Sequence, residues 1–196
     1  MHNIYNKIYY KIFNLINFKI NNVQHKKFNI VGNIKIYREN CDKKTNNIFI
    51  GDDFGCNSGL KNNPIGGDVC TILRTIGTGV IKIGNNVGIS NSTLVARNKI
   101  EIEDNVLLGG GVKIYDNDFH SLNYNTRISK PYDDIKSKEV KICKGAFIGA
   151  GSYILKGVIV GEQSIVGAGS VVTKNIPPGE IWAGNPAKFI KKCKRD

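Results

Sequence analysis

The 196-residue sequence has no CxxC pair, and no spacing of cysteine or histidine suited to holding a metal ion. Its five cysteines, Cys41, Cys56, Cys70, Cys143 and Cys193, form an odd, scattered set. That reads as reduced thiols in a cytoplasmic protein. No uninterrupted apolar run is long enough to span a bilayer. The apolar residues after Met1 are broken by Lys7, Lys11, Asn14, Asn17 and Lys19, so no secretory signal is read there. Histidine is scarce as well, with His2, His25 and His120 the whole complement.

Acidic residues are short at both ends, and the net charge is +12. Residues 1–44 carry nine Lys or Arg against Glu39 and Asp42, and residues 185–196 carry five against Asp196, while the stretch between them is almost neutral. A nucleic-acid binder shows a basic stripe interleaved with aromatics or a recognised motif, and neither is present, so no nucleic-acid partner is expected.

What the chain does have is a repeat. From Ile142 the branched residues Ile142, Ile148, Ile154, Val160, Val166 and Val172 fall every sixth position. Four places after each stand Ala146, Ser152, Val158, Ser164, Ser170 and Ile176, mostly small. Upstream the beat runs through Ile83, Ile89 and Val95 and then, after one extra residue, Ile102, Leu108 and Ile114. A period of six fits neither a helix at 3.6 nor an exposed-face strand at 2. Short strands joined by Gly- and Asn-rich turns do keep it. Three such strands make a triangular coil of 18 residues, and coils stack about 4.8 Å apart with the branched side chains inside.

The run "IGAGSYILKGVIVGEQSIVGAGSVVTKNIPPGEIWAGNPAKFIKK" resembles the hexapeptide-repeat acyltransferases. Within them it is similar to the maltose and galactoside O-acetyltransferases and to the O-acetyltransferases of bacterial surface polysaccharides. The resemblance covers about residues 72–193. It implies an all-β fold, a left-handed parallel β-helix, a homotrimer, and acetyl-CoA as donor to a sugar acceptor. The handedness comes from the resemblance alone, since the general crossover rule favours the right hand. The expected organisation is a helical segment at 1–27, the β-helix at 28–177 with an inserted loop at 115–141, and a basic extension at 178–196.

The loop is where the repeat stops. Between Ile114 and Ile142 the stretch "YDNDFHSLNYNTRISKPYDDIKSKEVK" is polar and turn-prone, and a connection of that length needs a reason. His120 lies near its start, where the chain leaves a rigid coil. Transfer of an acetyl group to a hydroxyl requires a base that titrates near the working pH, and imidazole is that group. The resemblance implies that His120 of "DNDFH" is the general base, with Asp116 or Asp118 orienting its ring. It aligns the family's acceptor-binding asparagine with Ser90, beside Asn91, and Tyr115, Asn123, Tyr124 and Arg127 are candidates for the acceptor wall.

On the donor side, the resemblance implies that Phe147 and Ala150 flank the thioester, where the Ala150 N–H can polarise the carbonyl. It continues the groove through Ala168, Thr173 and Lys174, and sets Lys188 and Lys191 near the adenosine phosphates. "GAGSVVTK" lacks the spacing of a phosphate-binding P-loop.

The rival readings are an N-acetyltransferase of a nucleotide-linked amino sugar, an antibiotic acetyltransferase, a γ-type carbonic anhydrase and a non-catalytic β-helix that binds a flat surface. The carbonic anhydrase would need three clustered histidines, and His2 and His25 are badly placed to join His120, so no metal is expected. A surface binder would show ordered Thr arrays, which are missing.

The first 70 residues are less regular. Ile4, Ile8, Ile12, Ile16 and Ile20 keep a four-residue spacing, with Tyr5, Tyr9 and Phe13 alongside, and predict one amphipathic helix that caps the solenoid. Its alternative use is peripheral contact with the inner membrane surface. "IVGNIKIY" and "IFIGDDFG" read as imperfect early coils, and "KNNPIGGD" as a surface turn.

Overall fold

The computed structural model describes residues 2–42, 44–59, 62–63, 70–130 and 132–194. The turn expected at "KNNPIGGD" lies mostly outside the described residues.

Short strands stack into three parallel sheets that the chain visits in rotation. Sheet A holds Gln24–His25, Ile48–Ile50, Val80–Ile83, Lys99–Ile102, Val140–Ile142 and Ile159–Val160. Sheet B holds Phe28–Val31, Phe54–Asn57, Gly88–Ser90, Leu107–Leu108, Phe147–Ile148 and Ile165–Val166, followed by Glu180–Gly184 and Ala187–Lys192. Sheet C holds Lys35–Glu39, Ile72–Ile76, Thr93–Ala96, Lys113–Tyr115, Tyr153–Ile154 and Val171–Val172. Each coil thus has one corner after sheet B and another after sheet C. In the last coils Lys141 pairs with Ile159, Phe147 with Ile165 and Tyr153 with Val171, each eighteen positions on.

The repeat follows from what a stacked coil can bury. Ile142, Ile148, Ile154, Val160, Val166 and Val172 are all fully inside, and Ser152, Ser164 and Ser170 fill the corners behind them. Burying each branched side chain is worth roughly 1.5–3 kcal/mol, so the column is the main source of stability. The Ser hydroxyls are satisfied by backbone, Ser152 Oγ donating to Gly167 O at 3.0 Å and Ser164 Oγ to Pro177 O at 2.7 Å. Gly149 is required by closeness, because a Cβ there would stand 2.5 Å from the Ala168 nitrogen.

One position departs from the expected beat. Register pairs Ile114 with Leu94, so Leu94 and not Val95 belongs to the column. The coil loses a residue before Leu94 and regains length at the next corner, around Arg97 and Asn98. That widened corner is held by Asp116, whose carboxylate accepts from the Arg97 N–H at 2.8 Å and the Asn98 N–H at 2.7 Å.

Helix α1, His2–Ile20, does sit on the first coil, but Ile8, Ile12, Ile16 and Ile20 are not what it buries there. The face turned inward carries Phe18 and Asn14, both fully buried. Asn14 Nδ2 donates to Gly32 O at 2.9 Å and its Oδ1 accepts from Ile34 N–H at 3.2 Å, while Asn17 Nδ2 donates to Ile34 O at 2.7 Å. A terminal coil has backbone groups with no next coil to pair with, and asparagine amides can serve both donors and acceptors. The isoleucine stripe faces away: Ile8, Ile12, Ile16 and Ile20 are 52%, 53%, 55% and 76% exposed. His25 packs at the helix end with Phe18 and Phe28, ring centroids 5.3 Å away in each case.

At the other end the basic extension is a hairpin rather than a loose tail. Glu180–Gly184 continues sheet B in parallel on Ile165–Val166, and Ala187–Lys192 returns antiparallel to it across a cis Asn185–Pro186 bond.

Candidate active site

The long loop leaves and re-enters the stack through a short antiparallel stem. Lys138 N–H donates to Asp116 O at 2.8 Å, Asn117 bridges Ser137, and Asp118 N–H donates to Lys136 O at 3.1 Å. Beyond the stem the loop forms helix α2, Tyr124–Ser129, whose N-terminus is capped by Asn123 through the Thr126 N–H. Arg127 donates from Nη1 to the carbonyls of Ser121 and Leu122, at 2.9 and 3.2 Å, so its guanidinium braces the loop. Tyr124 is largely exposed on α2.

His120 stands where the stem ends. Phe119 before it has φ +61°, a left-handed conformation that a bulky residue adopts only when its surroundings impose it. The imposition is visible: Asn117 Oδ1 accepts from Phe119 N–H at 2.9 Å, the His120 N–H reaches Asp118 O at 2.7 Å, and the Phe119 ring stands edge-on to Tyr115 at 4.9 Å. This kink presents the imidazole outward, exposed, with no hydrogen-bond partner among the described residues.

The two neighbouring aspartates differ in what they hold. Both Asp116 oxygens are occupied by backbone amides, and Asp116 is fully buried. Asp118 pairs through Oδ1 with Lys156 Nζ at 2.7 Å, while its Oδ2 is buried with no partner among the described residues. Asp118 is therefore the one of the pair with a carboxylate oxygen left unpartnered among the described residues, two positions before His120 in the chain.

A cavity of about 500 Å³ opens beside the histidine. Asn117, Phe119, His120, Tyr132 and Ile135 come from the loop, and the rest from three earlier coils: Glu39 and Asn40, Arg74 and Ile76, and Arg97. Arg74 is paired with Glu39 at 2.6 Å. Sequence reading missed both arginines, since strands stacked from different coils bring together residues that no spacing relates. The only available signal was that Arg97 directly follows the strand on which the pre-loop strand stacks. Tyr115 is adjacent, and burial, then the neighbouring Tyr153, raise its phenol above the ordinary value, which keeps it protonated.

The donor candidates lie on the other corner. Gly111 N–H donates to Ser90 O at 3.2 Å, Gly151 N–H to Gly110 O at 2.8 Å and Gly169 N–H to Ala150 O at 2.8 Å. Ser90, Gly110, Ala150 and Ala168 thus form one column along the corner after sheet B, with Ala150 and Ala168 exposed. Phe147 and Ser90 line a common cavity of about 410 Å³ on sheet B. Asn91 is turned inward and fully buried, its Oδ1 accepting from Gly59 N–H at 2.7 Å, which leaves Ser90 as the outward residue of that pair.

Thr173 and Lys174 are not on this column. They follow Val171–Val172 of sheet C, exposed at the same corner as the loop. Lys188 and Lys191 are exposed on the terminal hairpin, opposite Ala183 and Ile181. A larger cavity, about 690 Å³, lies over sheet A between His25, Lys82, Glu101 and Lys144, and none of the candidate residues opens into it.

Among the described residues no three His, Cys, Asp or Glu side chains are grouped as a metal site. Burial, then the Glu103 carboxylate, hold the Cys143 thiol above its usual value, and burial pushes Cys56 up to about 12. Neither thiol is disposed to act as a nucleophile at neutral pH.

The family described as Bacterial transferase hexapeptide (six repeats) matches residues 139–174. A dTDP-4-amino-4,6-dideoxy-D-glucose acyltransferase of Escherichia coli is 33% identical over 142 residues, 70% of this chain and 73% of that protein. An Escherichia coli K12 protein assigned provisionally to lipopolysaccharide biosynthesis as an O-acetyl transferase is 29% identical, over 82% of this chain and 80% of its own length. The crystal structure of a variant of AntD, an N-acyltransferase from Bacillus cereus, in complex with dTDP and coenzyme A, superposes with a TM-score of 0.68. It has 25% identity and covers 92% of this chain and 89% of that one. Other matches are shorter, and the chain spans 45% of a Schizosaccharomyces pombe relative provisionally named an acetyltransferase and 18% and 36% of two mitochondrial gamma carbonic anhydrases of Arabidopsis thaliana. Stacked hexapeptide coils, a looped-out histidine and relatedness over most of an established acyltransferase agree: the chain belongs to the hexapeptide-repeat acyltransferase family.

Proposed function

We propose that the protein is an acetyl-CoA-dependent O-acetyltransferase whose acceptor is a sugar hydroxyl, working in the cytoplasm on material for a bacterial surface polysaccharide. The observation that carries this reading is the exposed His120 imidazole, unpartnered among the described residues, at a cavity of about 500 Å³, a size suited to a small polar acceptor. In this reading His120 takes the proton from the acceptor hydroxyl as its oxygen attacks the thioester carbon. The imidazolium then returns the proton to the departing CoA sulfur. Asp118 Oδ2 accepts from the protonated ring and stabilises it. The Ala150 N–H is the donor toward the carbonyl oxygen, and Lys188 and Lys191 meet the phosphates of CoA.

His120 and the Ser90–Ala168 column stand on different corners of one chain. We take this as support for a homotrimer in which the column of one subunit faces the loop of the next, around a left-handed coil. Release of free CoA thiol across a panel of sugars tests the reading directly. Absence of release with any hydroxyl-bearing sugar, at saturating acetyl-CoA, overturns it.

A second reading, N-acetylation of a nucleotide-linked amino sugar, is favoured by Arg74 and Arg97 in the cavity, since guanidinium groups suit a diphosphate. The two readings separate on the product: an acetyl ester is released by mild base and an amide is not.

A further inference from the structure

We propose that helix α1 is a surface anchor, lying with its outward apolar face in the headgroup region of an anionic phospholipid bilayer. The helix is turned opposite to the usual rule for a surface helix. Asn14 and Asn17 are bonded to the first coil, and Ile8, Ile12, Ile16 and Ile20 are presented to solvent together with Tyr9, Phe13 and Leu15. Seven large apolar side chains exposed on one helix form a contiguous face that requires cover.

The charge around this face points to lipid as the cover. Lys11 and Lys19 are exposed on the same helix, and no Asp or Glu occurs in the sequence before Glu39. A basic amphipathic helix of this kind is attracted to anionic lipid and lies in the interface plane. Two such faces brought together from two copies would set these lysines against one another with no carboxylate on either helix to answer them. Insertion across the bilayer is also disfavoured, since no helix among the described residues is long and apolar enough to cross a membrane. The docked helix would hold the His120 cavity near the lipid. That cavity reaches Glu39 and Asn40 in the first coil, and successive coils are about 4.8 Å apart.

Co-sedimentation of the full chain with vesicles tests the proposal. Binding is expected to vesicles of phosphatidylcholine mixed with phosphatidylglycerol. The partition coefficient should fall about tenfold or more on pure phosphatidylcholine, and equally for the Lys11→Gln, Lys19→Gln double variant. Ile12→Glu with Ile16→Glu should lower it at least about a hundredfold. These side chains are exposed, so the variants keep the fold, and sedimentation velocity without lipid should give the wild-type assembly size. Failure of the wild type to bind the mixed vesicles overturns the proposal. So does unchanged binding by the glutamate variant, or a smaller assembly formed by it in lipid-free buffer, which would make the face a contact between copies.

Discussion

Lys156 Nζ stands 2.7 Å from Asp118 Oδ1, and this ion pair ties the loop carrying His120 to a rigid corner of the next coil. Asp118 Oδ2 is buried and has no hydrogen-bond partner among the described residues. Asp118 is thus held at one oxygen by the coil below it.

If His120 is the general base, His120→Ala should lower turnover by roughly a hundred- to ten-thousand-fold. Assembly size and coenzyme A affinity should remain near those of the parent, because among the described residues the imidazole makes no hydrogen bond that holds the loop. Steady-state kinetics with calorimetric titration of coenzyme A checks both halves. A variant within a few-fold of the parent would remove His120 from the role.

The two aspartates should fail in different ways. Asp116→Ala strips the caps from the Arg97 and Asn98 amides in a buried corner and should cost about 2–4 kcal/mol of stability, read from denaturant unfolding. Asp118→Asn should unfold nearly as the parent does, yet lose about tenfold in turnover and shift the acid limb of the pH–rate profile, as expected of a residue that acts through His120.

Reversing Lys188 and Lys191 to Glu should raise the KM for acetyl-CoA much more than that for the acceptor. Moderate salt should produce part of the same effect in the parent enzyme, since both lysines are exposed and their field is screened. Equal changes in the two KM values would mean that the hairpin does not meet the donor's phosphates.

Cys56 supplies a pH test of the fold. Burial raises its thiol from 9.0 to about 12, against a lowering hydrogen bond with Thr71. A group whose folded value is raised stabilises the fold below its unfolded pKa and loses that contribution as pH climbs toward the folded one. The stability of the parent should therefore decline between about pH 9 and 12, and Cys56→Ala should show a shallower decline over the same window. Cys143→Ala, which removes a thiol held protonated, should retain most activity, because direct transfer needs no acetyl-enzyme.

The stack from residue 142 onward was legible because a stacked coil forces one side chain inward at each sixth position, and those six positions are the buried column. Leu94 was misread for a physical reason. "TLVA" offers two adjacent apolar residues, both buried, and only backbone pairing decides which one stacks on Ile114. Helix α1 was legible as a helix but not as to its sides. Periodicity reports a stripe without saying what covers it, and here the asparagines had the stronger claim on the first coil's open backbone. His120 could be singled out because the repeat breaks around it. The kink at Phe119, the free oxygen of Asp118 and the convergence of Arg74 with Arg97 depend on contacts between coils, which a single sequence does not display.

The antiparallel return of Ala187–Lys192 has a consequence for solubility. A pile of parallel strands is, at its last rung, a template on which another molecule's first strand could continue, and endless end-to-end growth is the natural fate of an unprotected solenoid. In sheet B the outermost strand runs the wrong way for that continuation, five of its six positions are exposed, and Lys188, Lys191 and Lys192 are among them. Charged edge strands resist pairing with their own kind. The lysines proposed to hold the phosphates of coenzyme A would then serve a second purpose, whether or not donor is bound: they set like charges against continuation of sheet B by another molecule.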